Sequence, residues 1–387
     1  MMKTILVTGA NGFVGRNLCA TLRTRVDVEL LTFDVEDPQG AFPVRILAAS
    51  AIVHLAGINR PERMEDFRTG NAEMTARMVQ ILEEAGRATP LILSSSTQAA
   101  LDNPYGQSKL AAENAAFAYG QATGAPVFVF RLPNLFGKWC RPNYNSVVAT
   151  FCHNIARGLP VQINDPEAPL RLAYIDDVIE AFMQALAGTP TRDGRFCVVP
   201  VTHQTTVGGL VDQIRAFQQS RSTLTIPAMD DAFTRKLYST YLSALPTDQF
   251  SYPLEMHRDS RGFFTEFIKT PDRGQVSVNV SRPGITKGDH WHHTKNEKFL
   301  VVSGTGIIRF RRLGTQDVIE YRVSGEKLEV VDIPPGYTHS ITNLGETDMV
   351  TIMWVNEAFD REHPDTWPEE VRPMNCSHTP ARPRWKK

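Results

Sequence analysis

The octapeptide TGANGFVG, at positions 8–15, constrains the fold more strongly than any other stretch of this chain. It follows an apolar run, TILV, and precedes a helix-like pattern, and its glycines are Gly9, Gly12 and Gly15. The first permits a tight turn, the second lets the backbone approach a pyrophosphate, and the third lets a helix pack closely on a strand. The N–H groups at the start of that helix suit a phosphate. The octapeptide therefore predicts a dinucleotide site, with a purely structural turn as the alternative. The residues predicted to bind the cofactor here are Gly9, Asn11, Gly12, Phe13, Val14 and Gly15.

The pattern of the chain changes near residue 250. Before that point, short apolar runs such as AIVHLAG and PLILSSS alternate with helix-like stretches, which is typical of a parallel sheet covered by helices on both faces. Beyond it, short strands broken by glycine and proline predict an all-β barrel or sandwich. We therefore expect a Rossmann-type, doubly wound α/β domain over 1–245, an all-β barrel over 246–372 and a disordered tail over 373–387.

Composition excludes several classes of protein. A length of 387 residues suits two domains. A formal net charge of −1 gives no field that attracts nucleic acid, and no apolar run is long enough to cross a membrane. Five scattered cysteines without a CxxC pair indicate reduced thiols. We expect a cytoplasmic protein without nucleic-acid or membrane partners.

Two charged residues near the glycine turn point to different cofactors. Asp34 ends the second predicted strand, where a carboxylate bonds the adenosine ribose hydroxyls, and this favours NAD(H). Arg16 directly follows the last glycine, where it could meet the 2′-phosphate of NADP(H). Either residue could also be an ordinary surface charge, so both cofactors stay open on these grounds.

The sequence YGQSK carries the chemistry of a reductase. Tyr105 and Lys109 lie four residues apart, on one face of a predicted helix. A free tyrosine titrates near pH 10, about three units too high for easy proton transfer, and a neighbouring ammonium lowers its pKa. A serine run closes the preceding strand, so a hydroxyl of Ser96, or of Ser95, could polarise a substrate carbonyl. These four residues are the predicted catalytic set.

The stretch GDHWHHTKNE, at 288–297, predicts a metal site. Residues two apart on a strand face the same way, so His290 and His292 point inward and His293 points out. Glu297 and the later His339 complete a set of three imidazoles and one carboxylate, which suits a divalent ion. The ion could be catalytic or purely structural, and the same ligands would also suit the iron of an oxygenase.

The first half of the chain resembles the sugar-nucleotide branch of the extended short-chain dehydrogenase/reductase superfamily. TGANGFVG, HLAG, GNAEMT, YGQSK, RLPNLFG and RLAYIDD all occur in the order of that family. The resemblance implies cofactor contacts at Leu55, Ala56, Gly57 and Asn71, and it places Asn134 and Arg171 on the nucleotide-sugar side. The gap between the serine run and Tyr105 is shorter than in most relatives, so the tyrosine is the better supported assignment.

The second half resembles the cupins. Its spacing fits G-x5-H-x-H-x4-E-x6-G and then P-x-G-x2-H-x3-N, and DSRGFFTEF resembles the opening of the sugar-nucleotide epimerase cupins. In those proteins an arginine and aromatic residues line the barrel against the substrate. The acid and base of such a reaction are not fixed by the sequence, with Tyr337, Glu266 and Lys287 as candidates.

Taken together, the two halves resemble the bifunctional enzymes of capsular polysaccharide biosynthesis. This resemblance implies C3 epimerisation of UDP-2-acetamido-2,6-dideoxy-β-L-arabino-hexos-4-ulose by the cupin. It also implies reduction at C4 with NADPH to UDP-2-acetamido-2,6-dideoxy-L-talose, on the route to UDP-N-acetyl-L-fucosamine. A zinc ion and a homodimer are implied as well. The alternative is an NAD-dependent epimerase or reductase whose cupin is structural or regulatory.

Overall fold

The structure, a computed structural model, describes residues 2–61 and 63–372. The tail expected to be disordered, 373–387, lies outside the described residues. The chain divides into two compact units: Met1–Gln218 with Met229–Phe250, and Gln219–Ala228 with the residues from Ser251 onward. The functional domain assignment at 245/246 stays a prediction.

The first unit is built on a seven-stranded sheet in the order β2-β1-β3-β4-β5-β9-β8, with a three-stranded sheet, β10-β7-β6, beside it. The five strands from β2 to β5 pair in parallel. The strands of both sheets are β1 (Lys3–Thr8), β2 (Val28–Phe33), β3 (Ala51–His54), β4 (Leu91–Ser96), β5 (Val127–Leu132), β6 (Asn134–Phe136), β7 (Pro169–Tyr174), β8 (Arg192–Asp193), β9 (Phe196–Cys197) and β10 (His203–Thr206).

Helices cover both faces of the large sheet: α1 (Phe13–Arg23) and α6 (Ile175–Leu186) on one face, and α2 (Ala41–Ala48), α3 (Met74–Glu84) and α4 (Pro104–Thr123) on the other. The helices α5 (Val147–Ala156), α7 (Val207–Thr223) and α8 (Ala232–Ser243) pack in a third core with β6 and β7 of the small sheet. Shorter turns are the π-helical Arg68–Glu73 and the 3₁₀ segments Thr97–Ala100 and Thr247–Gln249. No helix within the described part of the chain is long and apolar enough to cross a membrane.

Strand β1 shows why this sheet has two cores. Ile5 and Val7 face the cluster that contains residues of α1 and α6, whereas Leu6 faces the cluster that contains residues of α3 and α4. A strand covered on both faces has no polar side, which is why the run ILV is continuously apolar. The predicted doubly wound arrangement is therefore confirmed.

The second unit contains two antiparallel sheets, of six and five strands, in the orders β11-β12-β13-β20-β15-β18 and β17-β16-β19-β14-β21. Its strands are β11 (His257–Asp259), β12 (Gly262–Thr270), β13 (Gly274–Ser281), β14 (Thr286–Trp291), β15 (Glu297–Ser303), β16 (Thr305–Arg312), β17 (Val318–Ser324), β18 (Val330–Ile333), β19 (Tyr337–Asn343), β20 (Met349–Val355) and β21 (Trp367–Pro368). The all-β architecture predicted for this region is confirmed.

The inward face of β13 is polar. Gln275, Ser277, Asn279 and Ser281 alternate along the strand and are all buried. Alternate residues of a strand share a face, so these four side chains form one buried polar stripe. A buried face of a strand is usually apolar. The polar stripe on β13 therefore indicates that the interior of this unit can accommodate polar groups.

Candidate functional site

The glycine turn between β1 and α1 has the geometry that its sequence predicts. Gly9 has φ +68°, and a Cβ on it would lie 2.7 Å from the backbone nitrogen of Ala56. A Cβ on Gly15 would lie 2.1 Å from the carbonyl oxygen of Gly9. Gly12 is different, because its Cβ would meet one atom only, at 3.2 Å. Gly12 also begins α1 without a side-chain cap, so the N–H groups at this helix start are not satisfied by a capping side chain.

The carboxylate of Asp34 is occupied by the backbone. It accepts the N–H of Asn11 at 2.6 Å and the N–H of Val35 at 2.8 Å. Asp34 thus lies beside the glycine turn, as expected. These two hydrogen bonds let Asp34 stabilise the turn whether or not the ribose of a cofactor is bound.

A cavity of about 360 Å³ opens beside the same turn. Asn11, Arg16, Arg23, Thr32 and Trp139 are among its lining residues, and the guanidinium of Arg16 lies 5.9 Å from the ring centre of Trp139. Within 2–61 and 63–372, neither arginine forms an ion pair. The cavity therefore presents two unpaired positive charges next to the predicted dinucleotide site.

Helix α4 brings the predicted reductase residues together. The Asn103 side chain caps the helix by accepting the N–H of Gly106 at 2.8 Å, and Pro104 opens it, so Tyr105 sits in the first turn. Burial raises the pKa of Tyr105, while a hydrogen bond with the Ser96 side chain opposes that shift. The ammonium of Lys109 donates to the carbonyl of Ser94 at 2.8 Å.

The two candidate serines have different environments. Ser96 contacts Tyr105, whereas the hydroxyl of Ser95 donates to the buried carboxylate of Glu113 at 2.5 Å. Glu113 also accepts two bonds from Arg131, at 2.9 and 2.6 Å. Ser96 therefore lies next to Tyr105, whereas Ser95 bonds to the carboxylate of the Glu113–Arg131 ion pair.

Glu113 was not predicted from the sequence. It lies four residues after Lys109 and is fully buried, so it is the carboxylate of α4 that opposes the effect of burial on the lysine. Burial lowers the pKa of Lys109 to about 8, and the charge of Glu113 raises it. The i,i+4 spacing of Lys109 and Glu113 within KLAAE was the available signal.

The loop after β3 is held by Asn71. The side chain of Asn71 accepts the N–H of Ile58 at 2.9 Å and donates to the Ile58 carbonyl at 2.9 Å and to Ser108 at 3.0 Å. Its amide is therefore engaged within the protein, and it ties the loop of Leu55, Ala56 and Gly57 to helix α4. Its predicted contact with the cofactor stays a prediction.

The two residues predicted for the nucleotide sugar lie on adjacent strands. Asn134 on β6 pairs with Leu172 on β7, directly beside Arg171. Both Asn134 and Arg171 are exposed, and Arg171 donates to the Thr202 hydroxyl at 3.4 Å. Because neighbouring residues of a strand face opposite sides, Arg171 and the Leu172 that pairs with Asn134 point to different faces of this small sheet.

The four predicted metal ligands converge in the second unit. One ligand atom from each of His290, His292, Glu297 and His339 lies within 4.8 Å of the others. Nε2 of His339 and Nε2 of His292 lie 3.2 and 3.5 Å from the same oxygen of Glu297. His293 is exposed, but it and His292 lie beyond the end of β14 at Trp291, so the alternation of a strand does not set their directions.

The protonation of His290 and Glu297 suits a cation. Burial would lower the pKa of His292, but hydrogen bonds with Glu297 and the Asp365 carbonyl raise it. Burial, with the neighbouring His339 and His292, lowers the pKa of His290 to about 4. Burial alone would raise the pKa of Glu297, but the imidazoles of His292 and His339 lower it to about 2. Nε2 of His292 and Oε2 of Glu297 are buried and lie 3.5 Å apart, but in the described part of the chain neither forms a hydrogen bond of good geometry. Buried polar atoms without partners, in a set of three nitrogens and one carboxylate, fit a divalent metal such as Zn²⁺.

Comparison with known proteins supports both halves of this reading. Residues 5–195 match the NAD dependent epimerase/dehydratase family, and residues 257–367 match the Polysaccharide biosynthesis C-terminal domain. The chain is 50% identical over 363 residues to the UDP-2-acetamido-2,6-beta-L-arabino-hexul-4-ose reductase of Pseudomonas aeruginosa, covering 94% of this chain and 97% of that protein. The crystal structure of capsular polysaccharide assembling protein CapF from Staphylococcus aureus has a TM-score of 0.90 at 54% identity, covering 95% of this chain and 100% of that chain. The chain belongs to the CapF family.

A more distant structure shows the fold alone. UDP-glucuronic acid 4-epimerase from Bacillus cereus, in complex with NAD, has a TM-score of 0.54 at 16% identity and covers 62% of this CapF-family chain and 96% of its own. Membership of the CapF family confirms the predicted combination of an α/β unit with an all-β unit. It also places the first unit among NAD(P)-dependent epimerases and reductases.

Proposed function

We propose that this chain is a bifunctional sugar-nucleotide enzyme of capsular polysaccharide biosynthesis. Its second unit epimerises C3 of UDP-2-acetamido-2,6-dideoxy-β-L-arabino-hexos-4-ulose, and its first unit reduces the C4 ketone to give UDP-2-acetamido-2,6-dideoxy-L-talose. This product is a precursor of UDP-N-acetyl-L-fucosamine. The observation that carries the proposal is the 50% identity to a UDP-hexulose reductase, which covers almost all of both chains.

The reductase step assigns a role to each residue around α4. A bound reduced nicotinamide would supply hydride to the C4 carbon, and the Tyr105 hydroxyl would give its proton to the C4 oxygen. Ser96 would polarise the carbonyl by donating a hydrogen bond, and Lys109 would hold the cofactor ribose and stabilise the tyrosinate left behind. The pKa of Tyr105 is raised by burial, so the lowering expected from the Lys109 ammonium is not seen. The hydroxyl therefore carries its proton before transfer, and the hydrogen bond with Ser96 is the contact that favours its release.

We infer that the cofactor is NADPH. The carboxylate of Asp34 already accepts two backbone N–H groups, whereas Arg16 and Arg23 line an adjacent cavity without acidic partners among the described residues. Arginine presents a fork of donors that matches a phosphate group. The pair thus suits the 2′-phosphate that distinguishes NADPH from NADH.

The epimerase step belongs to the second unit. The C3 hydrogen is acidic because it lies α to the C4 ketone, so removing its proton from one face and returning a proton to the other inverts C3 without a change of oxidation state. His290, His292, Glu297 and His339 would hold the metal, for which we propose Zn²⁺. When bound, such an ion polarises a carbonyl oxygen.

Polar groups near β13 support a polar ligand in this unit. Asn279 pairs across the sheet with Thr351, whose hydroxyl is buried and has no partner among the described residues. Lys287 donates to the Asn279 side chain at 2.7 Å, and burial lowers the pKa of this lysine. We propose Lys287 ahead of Glu266 as an acid–base group, because Glu266 is engaged in an ion pair with Lys269 at 3.1 Å.

A homodimer and a cytoplasmic location are further proposals. Both rest on the resemblance to the family and on the scattered cysteines of the sequence. Sedimentation of the purified chain tests the first.

The proposal is tested by supplying the UDP-linked 4-keto sugar with NADPH or NADH. We expect NADPH oxidation and a product reduced at C4 and inverted at C3, as read by NMR. Arg16→Gln and Arg23→Gln should each raise the KM for NADPH about 10-fold, the effect of one lost charge-assisted hydrogen bond, and leave the KM for NADH unchanged.

Arg25→Gln is the matched control. This exposed arginine follows α1 and pairs with Asp27 at 2.9 Å, outside the cavity. Equal losses with NADH and NADPH in the cavity variants would contradict the assignment of the 2′-phosphate. Absence of any cofactor oxidation with the 4-keto sugar would contradict the reductase itself.

A further inference from the structure

The carboxylate of Asp365 accepts hydrogen bonds from the backbone of the turn that follows His292. It accepts the N–H groups of three consecutive residues, at 3.0 Å from His293, 2.9 Å from Thr294 and 3.1 Å from Lys295. The Thr294 hydroxyl adds a fourth bond at 3.1 Å. Three successive amides aimed at one carboxylate fix the backbone direction of the turn, because each bond constrains a different peptide plane.

The same residue also contacts His292 directly. Nδ1 of His292 lies 2.6 Å from the backbone carbonyl oxygen of Asp365. A carbonyl can only accept, so Nδ1 must carry the proton, and the lone pair of the ring is then on Nε2. That nitrogen is the one that faces Glu297. The second contact thus selects the tautomer that can bind a metal.

Further bonds fasten the turn to residues near Asp365. Lys295 is 5% exposed, and its ammonium donates to the carbonyl of Pro364 at 2.6 Å. The N–H of Asn296 donates to the Asn356 side chain at 3.0 Å. Asp365 itself has φ +36°, in the left-handed region that asparagine and aspartate tolerate better than most residues. The segment 356–367 therefore works as a strap across the turn.

We propose that Asp365 is a positioning residue of the metal centre: its side chain fixes the turn 293–295 and its carbonyl fixes the orientation and tautomer of His292. The inference rests on the metal centre proposed above. Partners of this kind orient metal-binding histidines, and their loss typically lowers metal affinity about 10–100-fold. A bond network that only stabilised the fold would leave metal affinity unchanged in the folded chain.

The test is competition for Zn²⁺ between the full chain and a chromogenic chelator. We expect Asp365→Ala to weaken zinc binding about 10–100-fold. Asp365→Asn should lose less, because its amide oxygen still accepts hydrogen bonds and asparagine tolerates the positive φ. Asp360→Ala is the matched control: it removes an exposed carboxylate of the same strap that bonds the N–H of Glu362 at 2.8 Å and should leave zinc affinity unchanged.

Two further measurements separate the possible outcomes. Melting of the metal-free chains reports any loss of fold, and the visible spectrum of the Co²⁺-loaded chain reports the ligand geometry, which should change in Asp365→Ala. Wild-type affinity and an unaltered Co²⁺ spectrum in both Asp365 variants would overturn this inference alone. A wild-type chain that takes up no zinc would overturn the metal centre, and the inference with it.

Discussion

At the residue scale, Lys109 lies in an environment that differs strongly from water. It is 8% exposed and donates to the Ser94 carbonyl, and burial lowers its pKa to about 8 against the opposing charge of Glu113. A lysine so placed loses its charge within a pH range in which an exposed lysine stays protonated.

We therefore predict that kcat/KM for ketone reduction falls as the pH rises through about 8, the pKa of Lys109. The sign follows from the protonated forms: the ammonium is needed, and Tyr105, whose pKa burial raises, keeps its proton through the same range. A pH profile of NADPH oxidation measures this. Lys109→Arg should be slower and should lose this descending limb, because guanidinium does not titrate there. A wild-type rate that stays level to about pH 10, the range of an exposed lysine, would contradict the account.

The sequence alone was enough to assign some of the site residues but not others. Tyr105 and Lys109 follow from a four-residue spacing, because that spacing fixes their mutual position on a helix. Ser95 and Ser96 face opposite sides of β4, and the sequence does not say which side meets Tyr105. That choice depends on the buried Glu113 attracting Ser95. Asp34 lies where predicted, but its bonds to backbone N–H groups appear only in the folded chain.

At the scale of elements, the turn from β1 to α1 contains two glycines, Gly15 and Gly12, that have different roles. Gly15→Ala would place a Cβ 2.1 Å from the Gly9 carbonyl oxygen, so either the helix or the strand must move. We expect a loss of about 1–3 kcal/mol in the free energy of unfolding, as for other overpacked sites.

Gly12→Ala is the contrasting variant. Its Cβ would lie 3.2 Å from the nearest atom, so the fold should accommodate it with a small shift, but the methyl group would occupy space at the start of α1, which no side chain caps. Chemical denaturation should therefore detect mainly Gly15→Ala, whereas the dissociation constant for NADPH should rise mainly in Gly12→Ala. Equal effects of both variants on stability, with unchanged cofactor binding, would contradict the two roles.

Features formed by residues close in sequence were predictable, whereas contacts between residues distant in sequence were not. Alternating apolar runs and helical patterns predict the parallel sheet, and His290, His292 and Glu297 are close in sequence, so the histidine–glutamate cluster was largely predictable. Asp365 lies 73 residues from His292 and carries no motif, so its bonds to the turn could not be read from the sequence. The polar stripe on β13 was visible as alternation, but the buried side of that strand was not.

At the scale of the whole molecule, one chain carries a tyrosine–lysine pair and a histidine–glutamate cluster in two separate units. The change of sequence pattern near residue 250 predicted both fold classes, and family membership confirms them. Each set of residues suits a different reaction of one 4-keto sugar: reduction of the carbonyl, and inversion at the adjacent carbon. The account therefore requires that the two reactions can be separated by substitution.

The most direct measurement is exchange of the C3 hydrogen of the 4-keto sugar nucleotide in D2O, followed by NMR with and without NADPH. We predict exchange without cofactor in the wild type and in Tyr105→Phe, which should not reduce the ketone. We predict no exchange in His290→Gln, with the melting temperature of that variant recorded to exclude unfolding. Absence of C3 exchange in the wild type, or full exchange in folded His290→Gln, would contradict an epimerase in the second unit.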